Sequence, residues 1–418
     1  MQDLGSILGK TLNRKERTAD VQLDFDRDAA IDLVLQLMSI PGKSGNEEDV
    51  AEFIQRRLRL AGVRGSSIDS DSAHRRTLLR GQRGNLFLRL RGSVRGPRRL
   101  LLAHMDTVPI CVGSRPVQRN GMVVSGDPTT GLGADDRAGV AVVLHAALEI
   151  LRRKLPHPPL TFCWTVQEEV GLQGAKMMGK SRLGGPRMAF NWDGGAPEKL
   201  TVGATSGYRM KIDIHGVASH AGGSPELGVS AIAIAALAIA DLQRNGWHGD
   251  IRQGKRRGTS NIGYIHGGEA TNVVTDHVEI LAEARSHDSR FRQRIQREIE
   301  QAFRRAARQI TNAAGKTGSV TVNGRLDYDA FRLAANEPCV RAAESAVRRI
   351  GRDPHRAISN GGVDANWLVR HGIPTVTLGC GQLNAHMTSE ALVVEAYLDA
   401  CRVAMVLATA TEGERYGA

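Results

Sequence analysis

The segment RRLLLAHMDTVP, Arg98 to Pro109, reads as a strand that runs out into two chemistry-bearing residues, His104 and Asp106. The two are two positions apart, so on an extended backbone their side chains point to the same side. Asp106 can then accept the second ring N–H of His104 and fix its tautomer. Outward from this segment, strand and helix signals alternate: NLFLRLRG (85–92), a helix from about Arg137 to Arg153, LTFCWTV (160–166) and MAFNWD (188–193). That order predicts an α/β domain with a mixed, mostly parallel sheet.

Four of these strands end in a ligand-type residue or a base. They lead to His104 and Asp106, to Glu168 and Glu169, to Asp193, and, through PTVTLGCGQLNAHMTSE (374–390), to His386. Sites in α/β sheets lie beyond the carboxyl ends of strands. A fifth element, TTGLGADDRAG (129–139), puts Asp135 and Asp136 in a glycine-rich turn at a helix start. Two imidazoles, one for each ion, and three carboxylates, one able to bridge, suit a pair of zinc ions. A bridging carboxylate holds such ions roughly 3.5 to 4 Å apart, close enough to clamp one water and lower its pKa. The adjacent Glu168 and Glu169 must diverge, so one ligates and the other is left to take a proton from that water.

Before the first strand, a helix is expected from about Asp26 to Met38. Ser44 and Glu47 form an S-x-x-E capping box for a second helix ending near Gly62. After Gly203 the pattern changes. YRMKIDIHG (208–216), a helix over Glu226 to Arg244, the strands SNIGYIHGG (260–268) and HVEILAEARS (277–286), a basic helix over Arg290 to Thr311 and SVTVNG (319–324) make a β-α-β-β-α-β unit. The α/β pattern then returns, with a helix near Cys339 to Ile350 and a closing helix over Ala391 to Ala408. The predicted organisation is an N-terminal extension (1–25), an α/β domain in two parts (26–205 and 325–418), and an inserted ferredoxin-like α+β domain (206–324).

Composition sets the frame. With 418 residues, 41% hydrophobic and 24% charged, the chain is too long for one core and has the balance of an ordinary water-soluble protein. No apolar run reaches the length of a membrane span, and the N-terminus has no apolar h-region, so the expected location is the cytoplasm without a membrane partner. Cys111, Cys163, Cys339, Cys380 and Cys401 are odd in number and widely spaced, which predicts buried, reduced thiols. The net charge of +12 comes from 46 Arg and 10 Lys against 44 acids. With only 8 Phe, 5 Tyr and 4 Trp and no zinc-finger spacing, that charge is not read as a nucleic-acid surface. GLGADD lacks the third glycine of a dinucleotide fingerprint, GATSG is no nucleophile elbow, and neither H-E-x-x-H nor G-x-x-x-x-G-K-[ST] occurs.

Taken together, HMDTVP (104–109), GADDRAG (133–139), QEEVGLQGA (167–175), NWDGG (191–195), GVASHAG (216–222) and NAHMTSE (384–390) resemble, in content and order, the zinc exopeptidase family of peptidase T, carboxypeptidase G, succinyl-diaminopimelate desuccinylase and the aminoacylases. The similarity runs from about Asp26 to Leu407. It implies Asp135 as bridging ligand, His104 and Asp193 completing one zinc, Glu169 and His386 the other, and Glu168 as general base. Co²⁺ or Mn²⁺ are implied substitutes. It also implies a non-proline cis peptide between Asp135 and Asp136. Arg137 stands where the family usually has Lys, a departure that touches no ligand.

By the same resemblance, the α/β domain is the catalytic domain and the inserted one a lid and dimerisation domain, and His220 helps hold the oxyanion, reaching across a homodimer formed through that lid. Asn272 and Arg285 contact substrate, and Gly361 and Gly362 let its backbone approach. Arg285 also has a plain structural reading, a salt bridge to Glu283 or Asp288. Asp at position 193 and the QEEVG and NWDGG segments look most like peptidase T, which implies a tripeptide aminopeptidase acting on small peptides. The alternative is a carboxypeptidase or N-acyl-amino-acid deacylase, with Arg285 gripping a substrate carboxylate.

Overall fold

The structure is a computed structural model that describes residues 24–410. The extension expected over residues 1–25 lies outside the described residues but for its last two. The chain divides into two compact units. One comprises the residues up to Val202, Arg332–Ile358 and those from Val363 onward; the other comprises Gly203–Phe331 with Ser359–Gly362.

The first unit is built on a nine-stranded mixed sheet. Its strand order is Ile68–Ser70, Leu86–Leu90, Leu160–Thr165, Arg99–His104, Met188–Trp192, Thr375–Leu378, Lys199–Ala204 and Phe331–Arg332, with His355–Ser359 also paired to Lys199–Ala204. Four neighbouring strands, from Leu160–Thr165 to Thr375–Leu378, run parallel, so their carboxyl ends open on the same edge. Both faces of these strands are covered, which is why they read as unbroken apolar runs. Helices Arg27–Ser39, Ala134–Arg153 and Val394–Ala408 belong to the core that takes Leu101, Phe162, Trp164, Phe190 and Trp192. Leu100, Leu102 and Cys163 pack on the other side with Phe87, Leu368 and Ile373. Burying Phe162 and Phe190 completely contributes about 2–3 kcal/mol each.

The S-x-x-E capping box does not form. Helix Glu48–Leu60 starts after Glu47 with no side-chain cap, and both Ser44 and Glu47 turn inward to other partners. The closing helix is also shorter than expected, because Ala391–Val393 is a strand and the helix runs over Val394–Ala408. All five cysteines are free and buried.

The second unit is a five-stranded antiparallel sheet in the order Gly249–Gln253, Arg256–His266, His277–Ser286, Ser206–His215, Ser319–Tyr328. Helices Ala231–Arg244 and Ser289–Gln309 pack with it around Ile212, Ile280, Phe291 and Phe303. Leaving out the hairpin strand Gly249–Gln253, which the sequence reading did not find, this is the ferredoxin-like order. The first helix begins at Ala231 rather than at Glu226, since Ser230 caps it by accepting from the Ala233 N–H and Val229 is engaged in a β-bridge to Val217. The last strand continues past Gly324 to Tyr328. No described helix is long and apolar enough to cross a membrane.

Candidate metal centre

The strand Arg99–His104 is flanked by Leu160–Thr165 on one side and Met188–Trp192 on the other, the point at which the strand order reverses. His104, at its end, is 2% exposed. Its backbone N–H donates to Asp136 Oδ2 (3.1 Å), while its Nδ1 lies 3.1 Å from the Asp106 carbonyl oxygen and 3.4 Å from Asp106 Oδ1. With acceptors facing Nδ1, the neutral ring carries its proton there and leaves the Nε2 lone pair free. The tautomer is thus set chiefly by the carbonyl of Asp106 rather than by its carboxylate.

That carboxylate has another task. Asp106 Oδ1 accepts the N–H of Glu168 (2.9 Å), and Oδ2 accepts the N–H of Glu169 (3.2 Å) and the hydroxyl of Ser44 (2.6 Å). Burial works against ionisation, but His104, Ser44 and the Glu168 amide together hold the Asp106 carboxyl below its ordinary range.

Asp135 sits just inside helix Ala134–Arg153, after Gly133 at φ +77°, and its peptide bond to Asp136 is cis. Its Oδ1 lies 3.4 Å from His104 Nε2, and its Oδ2 lies 3.4 Å from His386 Nε2. His386 is carried by the hairpin loop between strands Gln382–Leu383 and Ala391–Val393, and its Nε2 is 2.9 Å from a Glu169 oxygen. Two groups of potential ligand atoms lie within 4.8 Å of one another: His104, Asp135 and Glu169, and His104, Glu168 and Asp193. The neighbouring glutamates diverge, Glu169 toward His386 and Glu168 toward Asp193.

The charges are out of balance. Burial, with the charge of Asp135, pushes the Asp193 carboxyl up to about 8. Burial raises Glu168 well above the carboxylate range, with Asp193 and Glu169 adding to it, and raises Glu169 as well. Hydrogen bonds to Asp135 and Glu169 carry His386 up to about 10. His104 is driven well above its usual value by Glu168, Asp106 and Asp135, although its burial opposes this. Imidazole nitrogens and carboxylate oxygens crowded this closely, with negative charge in excess, fit divalent cations.

Four supporting residues escaped the sequence reading. Glu47, fully buried, accepts from the N–H groups of Gly45 (2.8 Å) and Gln167 (3.1 Å), and burial with the charge of Asp106 lifts its carboxyl to about 8. Asp364 accepts from Thr165 Oγ, its Oδ1 is buried without a partner, and burial pushes it up to about 6. Glu390 and Ser44 complete the set. Glu390 stands inside the quoted segment NAHMTSE, and Asp364 follows Gly362 by two positions, so an acid within or beside a motif was the available signal. Arg137 is buried and donates through Nη2 to the carbonyls of Ile40 (3.3 Å) and Gly42 (3.2 Å).

The remaining expected residues belong to the second unit. His220 is exposed, and its Nδ1 accepts from the N–H groups of Gly222 (3.1 Å) and Gly223 (2.8 Å), which puts the neutral ring's proton on Nε2. The short pairing of Ser219–His220 with Val273–Val274 brings Asn272 beside it, and the Asn272 carbonyl accepts from the Ala221 N–H (2.9 Å). Arg285 is held by Glu283 through Nε (2.9 Å) and Nη2 (3.0 Å). A Cβ on Gly362 would stand 2.4 Å from the Tyr328 ring, a packing reason for glycine there, whereas one on Gly361 would meet only Ser359 Oγ at 3.6 Å. The open sheet face of this unit carries a cleft of about 670 Å³, lined in part by Arg209, Lys211, Tyr264 and Glu283.

Residues 100–410 match the profile of peptidase family M20/M25/M40. Among solved structures, the chain is similar to a tripeptidase from Staphylococcus aureus (TM-score 0.81, 30% identity, covering 91% of this chain and 98% of that one). It is also similar to the aminopeptidase PepT from Bacillus cereus (TM-score 0.78, 32% identity, 92% and 98%). Among curated sequences it is 32% identical to the uncharacterized protein YqjE of Bacillus subtilis over 86% of this chain and 92% of that one. It is 30% identical to carboxypeptidase G2 of a Pseudomonas species over 54% of each.

Proposed function

The chain belongs to peptidase family M20/M25/M40 and is a hydrolase of the metallopeptidase kind, and from that premise we propose a two-zinc exopeptidase, specifically a peptidase T-like aminopeptidase acting on tripeptides. The observation that carries the two-ion reading is the attitude of Asp135: each carboxylate oxygen faces a different imidazole, His104 on one side and His386 on the other. Asp135 would be the ligand shared by both ions, with His104 and Asp193 completing one and Glu169 and His386 the other. When bound, the ions supply Lewis-acid polarisation of the scissile carbonyl and a water acidic enough to attack near neutral pH.

The chain's own residues do the rest. Glu168, with its carboxyl raised by burial, takes the proton of the attacking water and returns it to the leaving amine as the C–N bond breaks. Asp106 fixes where Glu168 and Glu169 start from, through their backbone N–H groups. In the proposed homodimer His220 would reach across and offer its Nε2–H to the oxyanion developing in the partner's site, and Asn272 would contact substrate. The tripeptide specificity is supported by the likeness to the S. aureus tripeptidase and to PepT.

A homodimer through the second unit accords with its surface. Residues 263–266 of strand Arg256–His266 have no paired strand on their outer edge among the described residues. Tyr264 and Ile265 there, and Ile232 and Leu237 on helix Ala231–Arg244, are exposed. An unpaired edge beside exposed apolar side chains suits a second copy.

Carboxypeptidase or deacylase action is the second reading, favoured by the likeness to carboxypeptidase G2, and it requires Arg285 to exchange Glu283 for a substrate carboxylate. A panel of free tripeptides, dipeptides, N-blocked peptides and N-acetyl amino acids separates the two. Release of the amino-terminal residue from free tripeptides alone supports the first. Cleavage confined to N-blocked substrates replaces it with the second.

A further inference from the structure

We propose that Glu390 is a positioning residue of the metal centre, tying the turn that carries Asp135 to the hairpin loop that carries His386. The inference rests on the two-ion reading above. Glu390 is 1% exposed, and its carboxylate spends both oxygens on backbone donors: Oε2 accepts the N–H of Gly133 (2.7 Å) and Oε1 accepts the N–H of Asp135 itself (2.9 Å). These are charge-assisted bonds, shorter and stronger than neutral ones, and they fix the backbone of the ligand common to both ions.

The other end of the clamp is the loop 384–390. Asn384 and His386 both take positive φ, +53° and +66°, a conformation that Asn and His adopt more readily than other non-glycine residues and that turns the loop tightly. Within the loop, Asn384 Nδ2 donates to the Ser389 carbonyl (3.2 Å) and the Glu390 N–H donates to the Met387 carbonyl (3.1 Å). The loop therefore moves as a braced piece, and the Glu390 side chain docks it against the Gly133–Asp135 turn. A contact of 3.5 Å from Cys111 Sγ to Oε2 closes the remaining side. What the clamp sets is the separation of Asp135 Oδ2 from His386 Nε2, which are the donors of the ion held with Glu169.

Replacement has a graded consequence. Glu390→Gln keeps one accepting oxygen but turns an NH₂ group toward the other backbone donor, and Glu390→Ala removes both acceptors. Loss of an outer partner of a metal ligand typically weakens binding 10- to 100-fold. Metal-free protein, its folding checked by circular dichroism, is titrated calorimetrically with Zn²⁺, and the visible absorption of the Co²⁺-loaded form is recorded in parallel. The expected result is two equivalents in the unsubstituted protein. One of them should be weakened at least about tenfold in Glu390→Ala and by an intermediate factor in Glu390→Gln, with a changed cobalt spectrum. Where Glu390→Ala does not fold, Glu390→Gln carries the test. Variants that bind both ions with unaltered affinity and an unaltered cobalt spectrum overturn the clamp. Fewer than two equivalents in the unsubstituted protein overturn the two-ion reading instead, and the clamp with it.

Discussion

The hydroxyl of Ser44 donates to Asp106 Oδ2 at 2.6 Å, across 62 positions of sequence, and so reaches the carboxylate that holds the backbone of both Glu168 and Glu169. Ser44 is therefore part of the site's support and not a helix cap. Ser44→Ala should leave two ions bound and lower kcat/KM about tenfold, the scale of one lost hydrogen bond to a charged group (roughly 1.5 kcal/mol). The helix Glu48–Leu60 should keep its stability, since it draws no cap from Ser44. Steady-state kinetics beside a thermal melt reads both, and a large loss of melting temperature with normal turnover would restore the capping role.

Metal loading should release protons. In the metal-free site burial pushes Asp193 up to about 8 and raises Glu169, and Asp135 and Glu169 carry His386 up to about 10, so at pH 7 this group holds protons that must leave before it can ligate. Zn²⁺ affinity should rise with pH up to about 10, where His386 becomes neutral. Calorimetric titration in two buffers of different ionisation enthalpy measures the protons released at pH 7. Equal heats in both buffers would contradict the account.

His145 should make the protein acid-sensitive. It is buried against Phe25 with no partner for Nε2 among the described residues, and burial, aided by Arg152 and Arg153, lowers its pKa to about 4. Between about 4 and 6.5 the unfolded chain binds the proton and the folded chain does not, so this contribution is full above pH 6.5 and is lost as pH falls. The span is worth up to about 3 kcal/mol. His145→Leu should flatten the slope of stability between pH 6.5 and 4. A slope unchanged in urea titrations of the variant would show that other groups carry it.

Glu47 holds the Gln167 N–H, next to the glutamate pair, and Gln167 itself lies at φ +54°. Glu47→Gln replaces a buried acid raised to about 8 by a neutral isostere, so it should cost little stability at pH 7. Glu47→Ala leaves the Gly45 and Gln167 N–H groups without that acceptor and should destabilise by about 1–3 kcal/mol per group. Chemical denaturation of the two variants side by side checks the difference.

Much of this was legible in the sequence, for a physical reason. Strands buried on both faces leave long apolar runs, and each run stops where its carboxyl end meets the site, so His104, Glu168, Glu169 and Asp193 announce themselves by position. Residues that act through the backbone leave no such trace. Ser44 and Glu47 fit a local motif, the capping box, and only the three-dimensional path shows that their partners are Asp106 and Gln167. Glu390 serves backbone N–H groups, which every residue but proline possesses, so nothing in the partner's identity points back to it. The extra hairpin strand Gly249–Gln253 was missed because GDIRQ carries little apolar alternation, Ile251 being its one buried side chain.

The division of labour between the adjacent glutamates is the central claim, and it is most directly tested by comparing Glu168→Ala with Glu169→Ala for bound zinc and for turnover of a free tripeptide. The account predicts that Glu168→Ala retains two zinc ions and loses at least about 10²-fold in kcat, the least a general base contributes, whereas Glu169→Ala loses one ion. Retention of two ions by Glu169→Ala together with loss of one by Glu168→Ala would contradict it, and would make Glu168 the ligand and Glu169 the base.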